Sequence, residues 1–351
     1  MSTIKDVANM AGVSISTVSN VITNKKLVSN ELAKKVNDAI FELNYKVNPI
    51  ASSLKSNKSQ MIGVIVTSFK SVFIGSLLNG IQDSCLKADY NVCVYETNNN
   101  FDEEKKCLDL LVKSMVDGII ILSRADPNNP DDLDYIHHLK TLKRGSRTIP
   151  IVIIEQSFGD PNLNCVIIDN KKASFEAVQH LINLGHKEIG LITGPMNTEI
   201  CNLRLQGYED ALANAHIISN KSWIRYGDFS PVVGYNCMRD LINETSISAV
   251  FAMNDQSGIG AIKAIKDSGL SVPNDIAVIG FDNIFPGTLI SPSLSTVNIP
   301  KYQMGVLSVQ RLVDLFNGKI IKDLACVVNH QIIVRKSTLI DGDDSWDLYG
   351  W

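Results

Sequence analysis

The sequence predicts a small all-α head followed by a two-lobed α/β domain built on parallel sheets. In residues 3–45, apolar side chains recur at three- and four-residue steps, which is typical of short amphipathic helices. From Met61 onward, β-rich apolar runs alternate with segments of helical period. Because these runs lack polar alternation, they indicate strands buried on both faces, as in a parallel sheet covered by helices.

Composition and charge separate the chain into two kinds of surface. Of its 351 residues, 45% are hydrophobic and 20% are charged, which excludes disorder of the whole chain. The net charge is −4, yet residues 1–60 hold eight Lys against four acidic residues, so the remainder carries −8. A basic head on an acidic body predicts that nucleic-acid contact is confined to the head.

Several classes of protein are disfavoured by what the sequence lacks. The seven Cys are scattered without a CxxC pair, so we expect reduced core residues and neither a disulfide framework nor a metal site. No GxSxG, Walker or GxGxxG run is present, so we expect neither an enzyme nor a cofactor. The N-terminus has no signal-peptide core and no apolar run reaches the ~18 residues of a membrane span, which predicts a cytoplasmic protein without membrane contact.

The head, residues 1–47, is predicted to contain three helices. Gly12 separates the first two, and Ser14 is the expected N-cap of the second. A third apolar period follows Ser29, its expected cap, and ends near Asn44. Two helices bent through a glycine turn form a helix-turn-helix, whose second helix enters the DNA major groove. From this pattern alone, a helical bundle without DNA function remains an alternative.

The run TIKDVANMAGVSISTVSNVI resembles the opening TIKDVAxxAGVSxxTVSxVL of the lactose-repressor family of bacterial regulators (LacI/GalR type). The resemblance implies base contacts from Ile15, Ser16 and Asn20: Asn can pair with adenine, Ser with several bases, and Ile can touch a thymine methyl. It also implies phosphate contacts from Thr17, Ser19, Asn24, Lys25 and Tyr45. The head departs from the family in lacking Arg, and Asn20 stands where Arg is frequent, so the base preference there is not inherited.

Residues 48–60 are predicted to form a hinge helix and linker. Asn48 and Pro49 suit a helix start, and Ile50 and Leu54 lie four apart on one face. A helix this short is marginal alone. In the family, this helix orders on DNA and inserts a Leu into the minor groove; Leu54 matches that wedge and Lys55 follows it. The alternative is that Leu54 only packs the linker against the body.

The α/β domain, residues 61–340, is predicted to consist of two successive parallel units. The expected strands are MIGVIV, NVCVY, DGIIIL and IPIVIIE in the first, then VIIDN, EIGLIT, WIRYG, AVFAMND and IAVIGFD in the second. We expect lobe one at about 61–160 and 298–325, lobe two at about 161–297 and 326–340, and a last strand near Gln331 in lobe two. The acidic segment 341–351 has no period and is expected to be a mobile tail.

The α/β domain also resembles the effector domain of the same family, through HLINLGHKEIGLITGP, LRLQGYEDAL, SAVFAMND, SGLSVPNDIAVIGFDN and SPSLSTVNIP. Similar lobes occur in periplasmic sugar-binding proteins, and a small ligand is expected between them, near the carboxyl ends of the strands. The resemblance implies effector contacts from Phe73, Gln156, Arg204, Phe229, Asn254 and Asp282. Gln156 stands where the family frequently has Arg, and Ile74 stands where it frequently has a second aromatic residue. The identity of the ligand therefore does not follow from the resemblance. Arg204 could instead be a surface residue, and Asn254 and Asp282 simple turn formers.

The resulting hypothesis is a sequence-specific regulator, a repressor, that binds double-stranded operator DNA. We expect a homodimer or dimer of dimers on a near-palindromic operator, controlled by a small polar effector such as a sugar. The alternatives are a soluble sugar-binding module without DNA function and a cytosolic α/β enzyme. The first predicts an export signal and no helix-turn-helix, and the second lacks its phosphate loop.

Overall fold

The computed structural model describes residues 2–23, 26–46 and 58–345. The chain divides into two compact units, Met1–Ser59 and Gln60–Trp351. The predicted hinge helix, with its residues Leu54 and Lys55, lies outside the described residues, as do Asn24 and Lys25.

The first unit contains α1 (Ile4–Ala11), α2 (Ile15–Thr23) and α3 (Asn30–Glu42). Thr3 and Asp6 form a capping box at α1. Gly12 has φ 65°, the left-handed conformation that lets the chain turn between α1 and α2. The Ser14 hydroxyl accepts a hydrogen bond from the Thr17 amide at 3.1 Å, which confirms it as a cap. Ser29 occupies the cap position of α3 without a side-chain bond.

Lobe one of the second unit is a six-stranded sheet in the order β13-β7-β6-β3-β1-β2, with all of its neighbouring strands parallel. Its strands are β1 (Met61–Val66), β2 (Asn91–Glu96), β3 (Gly118–Ile121), β6 (Ile151–Ile154), β7 (Cys165–Ile167) and β13 (Ala325–Val327). Its helices are α4 (Val72–Lys87), α5 (Phe101–Lys113), α6 (Pro130–Thr141) and α12 (Lys301–Phe316). A small hairpin, β4 (Lys143–Arg144) with β5 (Arg147–Thr148), follows α6.

Lobe two is a second six-stranded sheet, in the order β14-β12-β11-β10-β8-β9. Its strands are β8 (Ile189–Ile192), β9 (Ile224–Arg225), β10 (Ala249–Ala252), β11 (Ala277–Asp282), β12 (Ser295–Asn298) and β14 (Gln331–Ile333). The helices are α7 (Asn170–Asn183), α8 (Glu199–Asn214), α9 (Pro231–Glu244), α10 (Asp255–Asp267) and α11 (Pro286–Leu289), with a 3-10 turn at Lys221–Trp223. Within this sheet, among the described strands, only the pairing of β14 with β12 is antiparallel. This pairing confirms the expected return of the chain to lobe two.

The strand pairing corrects the lobe boundaries expected from the sequence. β7 pairs with β6, so the run VIIDN closes lobe one and does not open lobe two at 161. β13 pairs with β7, so lobe one resumes until Val327 and not 325. Apolar pattern alone assigns a strand to no particular sheet, because pairing partners are chosen in three dimensions. The chain therefore crosses between lobes three times, after β7, β12 and β13.

The segment expected to be a mobile tail from residue 341 begins with residues bonded to lobe two. The Asp344 carboxylate accepts from the Ser293 hydroxyl at 2.9 Å and from Lys336 Nζ at 2.6 Å. The Asp343 amide donates to the Val334 carbonyl at 3.2 Å. The absence of an apolar period gave no sign of these polar contacts, which extend lobe two to at least residue 344.

Helices α4 and α12 pack closely through facing glycines. A Cβ on Gly80 would overlap the carbonyl oxygen of Tyr302, and one on Gly305 would overlap the carbonyl of Leu77. Gly75, on the exposed side of α4, has no atom within 4 Å of a Cβ position. The two glycines therefore set the distance between the helices that cover lobe one.

Replacing Gly80 by Ala should destabilise the protein by about 1–3 kcal/mol, because the added methyl forces two backbones apart. Gly75→Ala in the same helix is the control and should be neutral or stabilising by up to about 1 kcal/mol, since Ala favours the helix. Denaturant unfolding followed by circular dichroism measures both. Equal effects of the two substitutions would contradict the close-packing explanation.

Candidate functional site

The recognition helix of the head presents the predicted base-reading residues on its surface. Ile15 is 41% exposed, in contrast to Val18, which is fully buried in the head core, so Ile15 is not a core residue. Ser16 and Asn20 lie four residues apart and share a helix face. The Ser14 hydroxyl lies 2.7 Å from that of Ser16 and organises the first turn.

The residues expected to contact phosphate differ in their position and burial. The Thr17 hydroxyl lies 2.9 Å from that of Ser14, at the N-terminus of α2, where backbone amides and dipole favour an anion. Tyr45 is half-buried and packs against the head core, so its ring helps to hold α3 in place. Ser19 is half-buried on α2.

The second unit contains a cleft of about 240 Å³ between the carboxyl ends of the strands of both lobes. Lobe one lines it with residues that include Thr67, Lys70, Phe73, Asn99, Arg124 and Glu155. Lobe two lines it with residues that include Arg204, Asp228, Phe229, Ser230, Asn254 and Asp282. In parallel sheets, strand ends place loops and helix N-termini around such a crevice, so its position follows from the topology.

Five of the six residues expected from the sequence line this cleft: Phe73, Arg204, Phe229, Asn254 and Asp282. Gln156 does not. Its side chain is only 3% exposed, and Nε2 donates to the carbonyl of Ser123 at 2.8 Å. The prediction that Gln156 contacts the effector is therefore corrected. Its amide joins two loops of lobe one, and because the side chain is neutral it can be buried there with a single hydrogen bond.

Arg204 is buried, at 3% exposure, and not a surface residue. Its Nε donates to Asn170 Oδ1 at 2.9 Å and Nη1 donates to the carbonyl of Met253. The guanidinium stacks 3.6 Å from the ring centre of Phe281, and Nη2 lies 3.8 Å from Asp282 Oδ1. Because that last pair is beyond hydrogen-bond distance, Nη2 is the part of the fork that can serve a ligand.

Asn254 and Phe229 support each other at the lobe-two wall. Asn254 caps α10 through Oδ1, which accepts from the Ser257 amide at 3.0 Å, while Nδ2 donates to the Phe229 carbonyl at 3.0 Å. Phe229 has φ 71°, and its ring covers Gly194, where a Cβ would collide with it. Asn254 therefore acts as a helix cap, not as a turn former, and it also lines the cleft.

Glu155 is a cleft residue that the sequence reasoning missed. Glu155 comes directly after β6, and Asp282 is the last residue of β11. The position of Glu155 at a strand end was therefore the signal in the sequence that could have identified it. Burial, together with the charge of Asp282, raises the pKa of Glu155 to about 7. Burial raises the pKa of Asp282 to about 6, against the opposing effect of Arg204. Both residues have positive φ, 74° and 106°, a strained backbone that is frequent at binding sites.

Glu199, the first residue of α8 in lobe two, was also missed, and it bonds directly to lobe one. Its carboxylate accepts from the amides of Ser157 at 2.9 Å and Phe158 at 2.8 Å, and from the Ser157 hydroxyl at 3.2 Å. Phe158 belongs to the lobe-one core. A carboxylate with three donors from the other lobe ties the two walls of the cleft together, and no sequence motif marks such a contact.

Within the described residues, no cluster of His, Cys, Asp and Glu could hold a metal ion. No helix in the same part of the chain is long and apolar enough to cross a membrane.

Comparison with known proteins gives two matches along the chain. Residues 3–48 match the family described as bacterial regulatory proteins, lacI family, and residues 178–338 match a periplasmic binding protein-like domain. The HTH-type transcriptional repressor PurR of Pasteurella multocida (strain Pm70) is 35% identical over 340 residues, covering 96% of this chain and 98% of the relative.

Two solved structures extend the likeness to three dimensions. A lac repressor dimer bound to operator and the anti-inducer ONPF is 29% identical, with a TM-score of 0.85 and coverage of 96% and 99%. A complex of the transcriptional regulator CelR with cellobiose is 28% identical, with a TM-score of 0.70 and coverage of 96% and 100%. The chain therefore belongs to the lacI family of bacterial regulatory proteins and is a DNA-binding transcriptional repressor with a two-lobed effector domain.

Proposed function

We propose that operator affinity of this repressor is set by a sugar or sugar-like molecule bound in the cleft. The observation that carries the proposal is that side chains of both lobes line one polar cavity. A ligand that contacts both walls has a different affinity for each lobe arrangement, and that difference in affinity is what shifts an equilibrium between two states.

The chemistry of the cleft supports a polyol. Arg204 Nη2 can donate to hydroxyl oxygens, and the carboxyl of Asp282 can accept hydroxyl protons. Phe73 and Phe229 offer ring surface for the apolar face of a sugar. Among its structural neighbours, CelR is complexed with cellobiose.

On the DNA side, we propose that Ile15, Ser16 and Asn20 read base edges and that Thr17, Asn24, Lys25 and Tyr45 contact phosphates. We also propose a homodimer on a near-palindromic site, with Leu54 and Lys55 at the minor groove. The lac repressor neighbour is a dimer bound to operator. A sugar-binding module without DNA function is the alternative, and the exposed recognition helix argues against it.

The test combines two measurements on the full chain. Selection from randomised double-stranded DNA should yield a palindromic site, and a thermal-shift screen of sugars, sugar phosphates and purines should yield a stabilising ligand. The ligand must then change operator affinity at constant salt. A selected site that no stabilising ligand affects would refute the coupling.

Replacing Asn20 by Ala should change the preferred base at one position of each half-site, by about 1–3 kcal/mol of discrimination. The measurement is binding to a randomised half-site library. Asn37→Ala, at an exposed position of α3, is the control and should leave the profile unchanged. Uniformly weaker binding with an unaltered base profile would reassign Asn20 to phosphate contact.

Arg204→Met should weaken the effector identified by the screen at least tenfold, since about 1.5–3 kcal/mol is typical of a hydrogen bond to a charged group. Met keeps much of the buried length, so operator binding and a cooperative melting transition should remain. Calorimetry on the folded variant measures the loss. Binding within twofold of the parent protein would show that Arg204 only braces lobe two.

The two cleft carboxyls also predict a pH dependence of stability. The pKa of Glu155 is about 7 in the folded protein against an ordinary 4.5, so the folded state holds more protons between these values. Its contribution to the free energy of unfolding therefore falls as pH rises from about 4.5 to about 7, by roughly 1 kcal/mol or more. Glu155→Gln should reduce the slope and leave the part that comes from Asp282, whereas Glu209→Gln, at an exposed position of α8, should leave the slope unchanged. Parallel pH profiles for Glu155→Gln and the parent protein would contradict the assignment.

A further inference from the structure

We infer that the effector is an anionic sugar, a phosphate ester or a sugar acid, whose charged group binds the lobe-one wall of the cleft at Lys70 and Arg124. This inference rests on the proposed function, because it names the class of ligand for the same cleft.

The first observation is the uneven placement of charge. The cleft is lined by three cationic side chains, and one of them, Arg204, faces Asp282. The other two, Lys70 and Arg124, both belong to lobe one. Neither has a carboxylate oxygen within 4.0 Å among the residues that the structure describes. Glu155 lies on the same wall and its charge interacts with that of Arg124, but it forms no ion pair with either cation. Two cations without an ion-paired carboxylate in one crevice favour a ligand that brings negative charge.

The second observation is that Arg124 is fixed in place. Its Nε and Nη2 donate to Asn99 Oδ1 at 3.1 and 2.5 Å, and Asn99 is itself a cleft residue with φ 58°. The Asn99 amide donates to the carbonyl of Thr67 at 2.9 Å, so three loops of lobe one are joined. A guanidinium held by a neutral amide keeps its full charge and leaves donors for a ligand.

A buried carboxylate supports the backbone behind this group. Glu104 is fully buried on α5 and accepts from the Ser123 hydroxyl at 2.5 Å and from the Arg124 amide at 2.7 Å. Burying a carboxylate costs free energy unless it is well bonded. Here the bonds hold the loop after β3 and not the Arg124 guanidinium, so Glu104 is a positioning residue for Arg124.

The surroundings of Lys70 suit an anion as well. Lys70 precedes α4, a helix of 16 residues, whose N-cap Ser71 makes no side-chain capping bond. Ser71 and Thr67 also line the cleft there. Hydroxyl groups and the first amides of a helix are donors, and they add to the two cations at this wall.

The opposite wall has the complementary character. Asp228 and Asp282 line it, and Glu155 of lobe one lies close enough to both Asp282 and Arg124 for their charges to interact. An anionic group placed there would meet carboxylates, whereas hydroxyl groups would find acceptors. A sugar with one anionic end therefore fits in a single direction, with its charge toward lobe one and its hydroxyls toward lobe two.

The test uses the full chain and matched probes: glucose, glucose 6-phosphate and gluconate, the corresponding set for ribose, further neutral sugars with their phosphates and acids, and inorganic phosphate. The variants are Arg124→Gln, Lys70→Gln and the double variant. Lys113→Gln, an exposed residue at the end of α5, is the control. Melting temperature, calorimetry and operator affinity are measured at one salt concentration.

We expect an anionic member of one set to bind at least tenfold more tightly than its neutral parent and to change operator affinity. Each single variant should lose about tenfold in affinity for that ligand, and the double variant should lose the preference over the neutral sugar, while Lys113→Gln changes neither. Comparing phosphates with acids identifies which anion is used.

Three results would overturn the inference. If a neutral sugar binds as tightly as its anionic derivatives, the inference is wrong but the proposed function stands. Equal binding of inorganic phosphate and the sugar phosphate would reduce the site to a phosphate site. An anionic preference unchanged in the double variant would place the charge elsewhere. Failure of every carbohydrate to stabilise the protein would instead refute the proposed function itself.

Discussion

The buried guanidinium of Arg204 is the contact around which lobe two is arranged at the cleft. A charge at 3% exposure is tolerated only with partners, and this one gathers Asn170 at the start of α7, the end of β10 and the carboxyl end of β11. The same requirement places Asp282 beside it. The Arg204 side chain thus serves both the structure and the ligand site. Nε and Nη1 form hydrogen bonds within lobe two, and Nη2, which has no close partner there among the described residues, remains for a ligand.

Several cleft residues are in energetically unfavourable environments in the folded protein. Glu155 and Asp282 hold raised pKa values because burial disfavours their charge, and their positive φ angles cost backbone energy that the surrounding strands must offset. Such a site gains more from a bound ligand than a relaxed one would. Glu199 adds a direct bond between the lobes, so the free protein already has a preferred lobe arrangement on which an effector would act.

The lobe boundaries show where one-dimensional reasoning fails. The run VIIDN, which overlaps β7, is correctly predicted as a strand, but the sheet to which it belongs depends on its neighbours in space, and no predicted strand corresponds to β13. Gln156 shows the same for a side chain. Its position after a strand suggested the cleft, whereas its amide turned inward to the carbonyl of Ser123. The position of a residue at a strand end predicts that it lies near the crevice. Whether its side chain points into the crevice depends on the side-chain rotamer.

The sequence by itself determined the helix-turn-helix pattern and the alternation that makes parallel sheets, because local period and caps are properties of neighbouring residues. Five of the cleft residues came from the resemblance to the family, and for Asn254 and Asp282 the position at a strand end pointed to the same place. Tertiary structure alone decided that Glu155 approaches Asp282, that Glu199 bridges the lobes, and that Lys70 and Arg124 share a wall without either forming an ion pair among the described residues. Those relations join residues from separate loops, and the distances between them arise only when the strands have paired and the lobes have closed on a common crevice.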